Sequence, residues 1–269
     1  MKIFRTGENP KISLVYVNFR SVRPLRKSLE SVWRNRELRK NIEIVVANND
    51  HSESWALRAL KRRFPIRIID LPGNLGFGHA ANEAVSIVRS PYVGFLNPDT
   101  EFFSGNIADI PKIFEKYHDI GVLGARLLSH TGESEPWSSG RAVSLWQIFR
   151  NNMGIPSGKA LWESRKPVRA GFVSGAALFT RSELFRKLQG FDERFFLYFE
   201  DADFCLRVWE SGYRVFLFPK LTFFHEGGVS HATERSKKEA FYDSQERYFR
   251  KNRPIWESWI LSIMKKILL

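Results

Sequence analysis

Four short apolar runs, each closed by polar or glycine-rich residues and each separated from the next by an amphipathic stretch of helical length, constrain this chain more than any other feature. Residues 12–18, 42–47, 66–69 and 92–96 are rich in Ile, Val, Leu and aromatic side chains, and are too short for core helices. They are expected to be buried strands. Between them, Leu25, Leu29, Val32 and Trp33 recur at helical spacing after Pro24, and further helices are expected at about 54–63 and 79–88. This alternation predicts an α/β fold with a Rossmann-like, doubly wound, mostly parallel sheet. Such sheets take their ligands beyond the carboxyl ends of the strands.

Those ends read Asn18-Phe19-Arg20-Ser21, Asn48-Asn49-Asp50, Gly73-Asn74-Leu75-Gly76-Phe77-Gly78 and Asn97-Pro98-Asp99-Thr100. Turn chemistry alone explains Asn, Asp, Gly and Pro at any one of them. Four successive ends of this kind favour a shared pocket. The segment 73–78 lacks the Lys-Ser/Thr ending of a P-loop and the glycine spacing of a dinucleotide fingerprint. It is expected to be backbone that approaches a ligand closely before the next helix begins. Past about residue 105 the alternation weakens: strands are expected at 120–124, within 169–180, at 213–218 and at 221–225, while 129–166 is rich in Gly, Ser, Pro and Trp and shows no clear period.

A second feature carries chemistry. Phe195 to Phe199 is an aromatic run that delivers Glu200, Asp201 and Asp203 to the expected start of a helix closed near Ser211-Gly212. Burial beside aromatic rings raises a carboxyl pKa and helix N-terminal amides lower it, so the two influences can fit one acid for base work and keep its neighbour ionised. The plainer alternatives are an N-cap at Glu200 or Asp201 and an i,i+4 helix pair between Asp203 and Arg207.

Of the 269 residues, 42 are Lys or Arg and 29 Asp or Glu, for a net charge of +13. The partner is therefore expected to be anionic, with nucleic acid, acidic lipid and phosphorylated substrates as the candidate classes. No recognised nucleic-acid motif interleaves the basic and aromatic residues, and the acid cluster would repel a phosphate backbone, so a nucleic-acid-binding role is the weaker reading. The single Cys205 excludes an internal disulfide and a multi-cysteine zinc site. No run of 18 apolar residues and no N-terminal hydrophobic signal occurs, so the chain is expected on the cytoplasmic side of a membrane.

In this order and spacing, Asn74-Leu75-Gly76-Phe77-Gly78, Phe95-Leu96-Asn97-Pro98-Asp99, Val173-Ser174-Gly175-Ala176, Gly190-Phe191-Asp192, Phe199-Glu200-Asp201 and His225-x-x-Gly228-x-Ser230 resemble the family 2 inverting nucleotide-sugar glycosyltransferases of GT-A fold. Among these the sequence looks most like the bacterial rhamnosyltransferases of O-antigen and cell-wall polysaccharide assembly. The resemblance covers about 12–230. It implies Asp201 as catalytic base with Glu200 in support. It also implies a Mg²⁺ or Mn²⁺ ion held by Asp99 and His225, and a nucleotide-sugar donor contacted by Val17, Asn18, Asn48, Asn49, Asn74, Gly76, Asn97 and Asp99. Asn97 stands where the family shows the first acid of its metal motif, and Asn48 where it shows the Asp that reads the base. The amide oxygen of Asn48 could still accept a hydrogen bond from N3–H of thymine or uracil. The donor implied is dTDP-rhamnose, with a UDP-hexose or GDP-sugar as the alternative, and the acceptor is a saccharide, in many members linked to polyprenyl diphosphate.

The expected organisation is a GT-A domain over 1–233, with a donor half at about 1–105 and an acceptor half at about 106–233, followed by a basic helical tail over 234–269. In that tail Ile255, Trp256, Trp259, Ile260, Ile263, Met264, Ile267 and Leu268 fall on one helical face, with Glu257, Ser258, Ser262, Lys265 and Lys266 elsewhere. The apolar face is expected to lie in an anionic membrane surface, to dock on the catalytic domain, or to form an oligomer with a second subunit.

Overall fold

A computed structural model of the chain describes residues 10–35, 39, 41–136, 138–155, 158–227 and 234–268. Gly228 and Ser230, and the expected domain boundary at 233, lie outside them. In chain order the elements are β1 (Ile12–Asn18), α1 (Val22–Trp33), β2 (Ile42–Asn48), α2 (Ser54–Lys61), β3 (Ile66–Asp70), α3 (Phe77–Ser86), β4 (Tyr92–Leu96), β5 (Thr100–Ser104), α4 (Ile110–Lys116), β6 (Ile120–Leu128), β7 (Ser139–Gly140), α5 (Leu145–Asn152), α6 (Lys159–Trp162), β8 (Val168–Arg169), β9 (Phe172–Val173), β10 (Ala177–Arg181), α7 (Ser182–Lys187), α8 (Glu200–Glu210), β11 (Arg214–His225), α9 (Glu234–Asn252) and α10 (Ile255–Leu268).

The main sheet has the order β3-β2-β1-β4-β10-β6-β11-β5, with β8 against β11. Strands β1 to β4 are mutually parallel, as the alternation predicts, and β11 is parallel to β6. The antiparallel members are β10, set between β4 and β6, and β5 and β8 beside β11. Period-two side-chain alternation builds two cores from the same strands. Ile12, Leu14 and Tyr16 of β1 face a layer with Leu25, Leu29 and Phe114, whereas Val15 and Val17 face a layer with Ala80, Phe185, Phe191 and Phe204. Each such fully buried aliphatic or aromatic side chain contributes on the order of 1.5–3 kcal/mol.

A third, smaller cluster joins Phe195 and Ala202, beside the acids, to Tyr248 and Phe249 of α9 and Leu261 of α10. Three sequence expectations change here. The aperiodic stretch 129–166 contains α5, whose Leu145 and Ile148 pack on this third cluster. The two strands expected at 213–218 and 221–225 are one long irregular strand, β11, because Pro219 and Lys220 interrupt the register without ending the pairing with β6. The side of α10 that docks is the polar one: Glu257, Ser258 and Leu261 are buried, while Trp256, Trp259 and Ile263 remain exposed. Glu257 finds its partners there, in Arg253 and the backbone N–H of Leu145, so the buried carboxylate is satisfied.

Candidate active site

The strand-end asparagines form two buried amide clusters, joined by the bond from the Asn49 N–H to the Asn18 carbonyl at 2.8 Å. Asn18, Asn48 and Asn49 are all almost fully enclosed. Asn18 donates from Nδ2 to Asn48 Oδ1 at 3.2 Å and to Glu53 at 3.2 Å, and Asn48 donates from Nδ2 to Asp70 at 2.7 Å. Val17 is buried in the β1–α3 layer beneath them. These side chains set the shape of the strand ends from below, with Asn48 Oδ1 turned toward Asn18. Asn49 donates to Asn74 Oδ1 at 3.1 Å and to the carbonyl of Gly76 at 3.0 Å, and accepts from the N–H of Leu75, so it clamps the glycine loop onto β2.

Gly76 meets a protein neighbour where the sequence suggested a ligand. Its φ is +89°, and a Cβ there would stand 2.5 Å from the carbonyl oxygen of Phe196. The next residue, Phe77, donates its N–H to that same oxygen at 2.9 Å. Glycine is required because two backbones touch, and the second backbone is the one leading into the acids.

That approach segment is locally strained. Tyr198 and Phe199 have φ of 70° and 67°, left-handed conformations uncommon for bulky residues. They turn the chain abruptly into α8, so that Glu200 and Asp201 occupy its first turn at the positive end of the helix dipole. Asp201 is half-buried. Its Oδ2 accepts from the N–H of Gly175 at 2.8 Å and its Oδ1 from the N–H of Ala202 at 2.7 Å. Each oxygen keeps a second lone pair for a substrate proton. Burial raises the Asp201 pKa, and the backbone N–H groups only partly offset the rise.

Glu200 is buried, and among the described residues its Oε2 has no hydrogen-bond partner. Burial first, and then the charge of Asp201, push its pKa well above the usual carboxyl range. The stability consequence has a definite sign. A carboxyl with a raised native pKa holds a proton that the unfolded chain has lost, so its contribution is full below the unfolded value and declines as pH rises through the interval up to the native one. Glu200→Gln cannot ionise. Its melting temperature should therefore climb relative to wild type as pH rises above the ordinary glutamate value of 4.5, and thermal melts giving a pH-independent difference would refute the raised pKa.

Asp203 is not the exposed helix partner that its spacing suggested. The pair with Arg207 forms, at 2.9 Å, but Asp203 is fully buried and also accepts from Lys251 and from Asn252 of α9 at 2.9 Å each. It fastens α9 to the acid-bearing helix.

Asp99 and His225 come together because β5 pairs antiparallel with β11, placing Thr100 opposite His225. Asp99 Oδ1 lies 3.3 Å from His225 Nε2, and the side-chain amide of Asn97 lies 3.3 Å from the same nitrogen. On the other side of the ring Nδ1 is 2.7 Å from Glu135, a carboxylate placed to fix the orientation of a metal-binding imidazole. Burial pulls the His225 pKa down, but the hydrogen bonds to Asp99 and Glu135 prevail and it is pushed up to about 10. Among the described residues no group of three or more His, Cys, Asp or Glu is arranged to hold a metal. One carboxylate and one imidazole, with an amide at hand, nevertheless suit Mg²⁺ or Mn²⁺ when the cation takes the place of the ring proton and substrate phosphates complete the shell. The loop 174–176 joins the two halves: the N–H of Gly175 holds Asp201, and the carbonyl of Ala176 accepts from the N–H of Asn97 at 3.1 Å.

Glu135 carried no usable signal in the sequence, because it lies in the aperiodic stretch. Gly175 stood in one of the family motifs, but its contact with Asp201 is made by backbone and could not be read from the residue. Glu53, which accepts from Asn18 and from the N–H of Val22 at the start of α1, was likewise hidden among surface-type residues.

The curled, mostly parallel sheet with acids beyond its strand ends defines a GT-A glycosyltransferase. The chain belongs to glycosyl transferase family 2, which matches residues 13–187, and glycosyl transferase family group 2 matches 139–267. It is similar to N-acetylglucosaminyl-diphospho-decaprenol L-rhamnosyltransferase of Mycobacterium tuberculosis, with 25% identity over 72% of this chain and 69% of the relative. It is similar also to the rhamnosyltransferase WbbL of Escherichia coli K12, with 26% identity over 79% and 81%. Among solved structures, the mannosyltransferase PcManGT of Pyrobaculum calidifontis, in complex with GDP-Man and Mn²⁺, shares the fold with a TM-score of 0.62 at 13% identity, over 97% of this chain and 72% of that one. GalNAc-T7 with UDP, GalNAc and Mn²⁺ gives 0.66 at 15% identity, over 90% and 48%.

Proposed function

We propose that this glycosyltransferase moves L-rhamnose from dTDP-rhamnose, with inversion at the anomeric carbon, to a saccharide carried on polyprenyl diphosphate, at the cytoplasmic face of the membrane during bacterial surface polysaccharide synthesis. The observation that carries the catalytic part is the Asp201 carboxylate, raised in pKa by burial, held by two backbone N–H groups and retaining free lone pairs. The two rhamnosyltransferase relatives support the donor, and the decaprenol-linked name of one supports the acceptor class.

A sugar hydroxyl is a weak nucleophile at neutral pH. Asp201 accepts its proton as the oxygen bonds to the anomeric carbon, while the bond from that carbon to the diphosphate oxygen breaks and the electron pair leaves with the nucleoside diphosphate. Burial and the charge of Asp201 push Glu200, behind it, toward its protonated form, which spares Asp201 a second negative charge at close range. Residues 1–105 contribute the donor side of the cleft and 106–233 the acceptor side. Asp99 and His225 would hold Mg²⁺ or Mn²⁺, which when bound neutralises charge on the diphosphate. Glu135 keeps the His225 ring turned toward Asp99, and Asn97 lies against the same ring nitrogen.

The test is a donor screen on the purified chain with divalent cation and a polyprenyl-diphosphate-linked acceptor. Rhamnose transfer from dTDP-rhamnose, lost on chelation, is the expected result. Transfer only from a UDP-hexose or a GDP-sugar would replace the donor assignment, and no transfer from any nucleotide sugar to any such acceptor would sink the proposal.

A further inference from the structure

Helices α5 and α10 adjoin, since the N–H of Leu145 donates to Glu257 at 3.2 Å, and both turn apolar surface outward. On α5 and the turn that follows, Trp146, Phe149 and Met153 are 66%, 52% and 63% exposed; on α10 the figures for Trp256, Trp259 and Ile263 are 53%, 65% and 62%. Trp146 stacks on Phe149 with centroids 5.8 Å apart. Folded domains rarely leave so much aromatic surface open unless something covers it. Because α10 docks through Glu257, Ser258 and Leu261, its exposed side cannot also serve the interior of this chain.

Charge identifies the cover. Segment 141–169, which carries α5, has six Lys and Arg against one Glu, and segment 234–269, which carries α10, has nine against five. Nine of the thirteen excess positive charges therefore lie in the two segments that present the apolar helices. Tryptophan on an apolar face flanked by basic residues is the chemistry of an anionic bilayer interface, where indole sits at headgroup depth.

We infer that α5 and α10 together form a two-helix platform that seats this protein on an anionic lipid surface. The platform gives the lipid-linked acceptor of the proposed function a route to the cleft and rests on that reading for its purpose; its test does not depend on transfer. The full chain is mixed with vesicles of phosphatidylcholine alone or with added phosphatidylglycerol, and binding is read by flotation and by the blue shift of tryptophan emission. Binding to the anionic vesicles, weakened by salt, is expected. The double substitutions Trp146→Ser with Phe149→Ser and Trp256→Ser with Trp259→Ser should each lower it by about tenfold or more, with the far-ultraviolet circular dichroism unchanged. No binding to anionic vesicles would overturn the inference, as would binding that both double variants retain. A concentration-dependent dimer abolished by these substitutions, with no vesicle binding, would assign the face to a second copy instead. If vesicles are bound but no nucleotide sugar is used, the functional proposal fails and the platform stands.

Discussion

Asp201→Asn is expected to lower turnover by about 10²–10⁴, the range typical of removing a positioned general base. The amide is nearly isosteric, and its oxygen can still accept from the N–H of Gly175 or Ala202, so the loop 174–176 and the start of α8 should stay in place. The loss should therefore fall on kcat, with donor KM little changed and the unfolding transition close to wild type. The pH profile provides a second reading. Because burial raises the Asp201 pKa, wild-type activity should fall as pH drops through that raised value, and the residual activity of the variant should lack the same acidic limb. Steady-state kinetics across pH decide the matter: a variant with undiminished kcat would remove Asp201 from the base role.

Asp203→Ala should be the most destabilising single change outside the apolar core, by about 3 kcal/mol, toward the lower end of the range for breaking a buried ion pair. Asp203 is fully buried, whereas Arg207 and Lys251 keep 19% and 25% side-chain exposure, so water relieves part of the charge left behind. Arg207 also keeps the carbonyls of Leu188 and Gly190, and Lys251 keeps Asp192. What has no substitute is the tie between α8 and α9 through Lys251 and Asn252. Urea denaturation measures the cost. A change below about 1 kcal/mol, the scale of surface pairs, would return Asp203 to the status of an ordinary helix partner.

The parallel half of the sheet was legible in the sequence because β1, β2 and β3 are each a mainly apolar run that leads into an amphipathic helix, and β4 repeats the run; strands buried within such a sheet leave little freedom in the pattern. The later half was not, for physical reasons that differ by element. The short strands β7 to β9 have only two residues each, too few for any period, and α5 is short, with apolar side chains on its exposed side as well as its packed one. β5 begins at the residue after Asp99, where a turn motif masks the start of a strand.

At the site, the acid pair was legible as carboxylates that an aromatic run delivers to a helix start, and the roles of Asp201, Asp99 and His225 were implied by the family resemblance. The partners that orient them were hidden because they are a backbone N–H at Gly175 and a lone Glu135, separated from His225 by 90 positions. Asn18 and Asn48 were visible as strand-end residues, but their enclosure depends on Glu53 and Asp70, which only the folded sheet brings near.

The left-handed pair Tyr198 and Phe199 has a consequence for how little of this chain can be dispensed with. Two bulky residues in that conformation cost of order 1–3 kcal/mol each unless their surroundings hold them. Those surroundings come largely from α9: Phe199 packs on Tyr248 and Phe241, and Ser244 donates to the carbonyl of Leu197 at 2.7 Å. The acid pair is thus like a bent spring whose catch lies some fifty residues downstream. A chain cut after the last strand would lose the contacts that hold this turn.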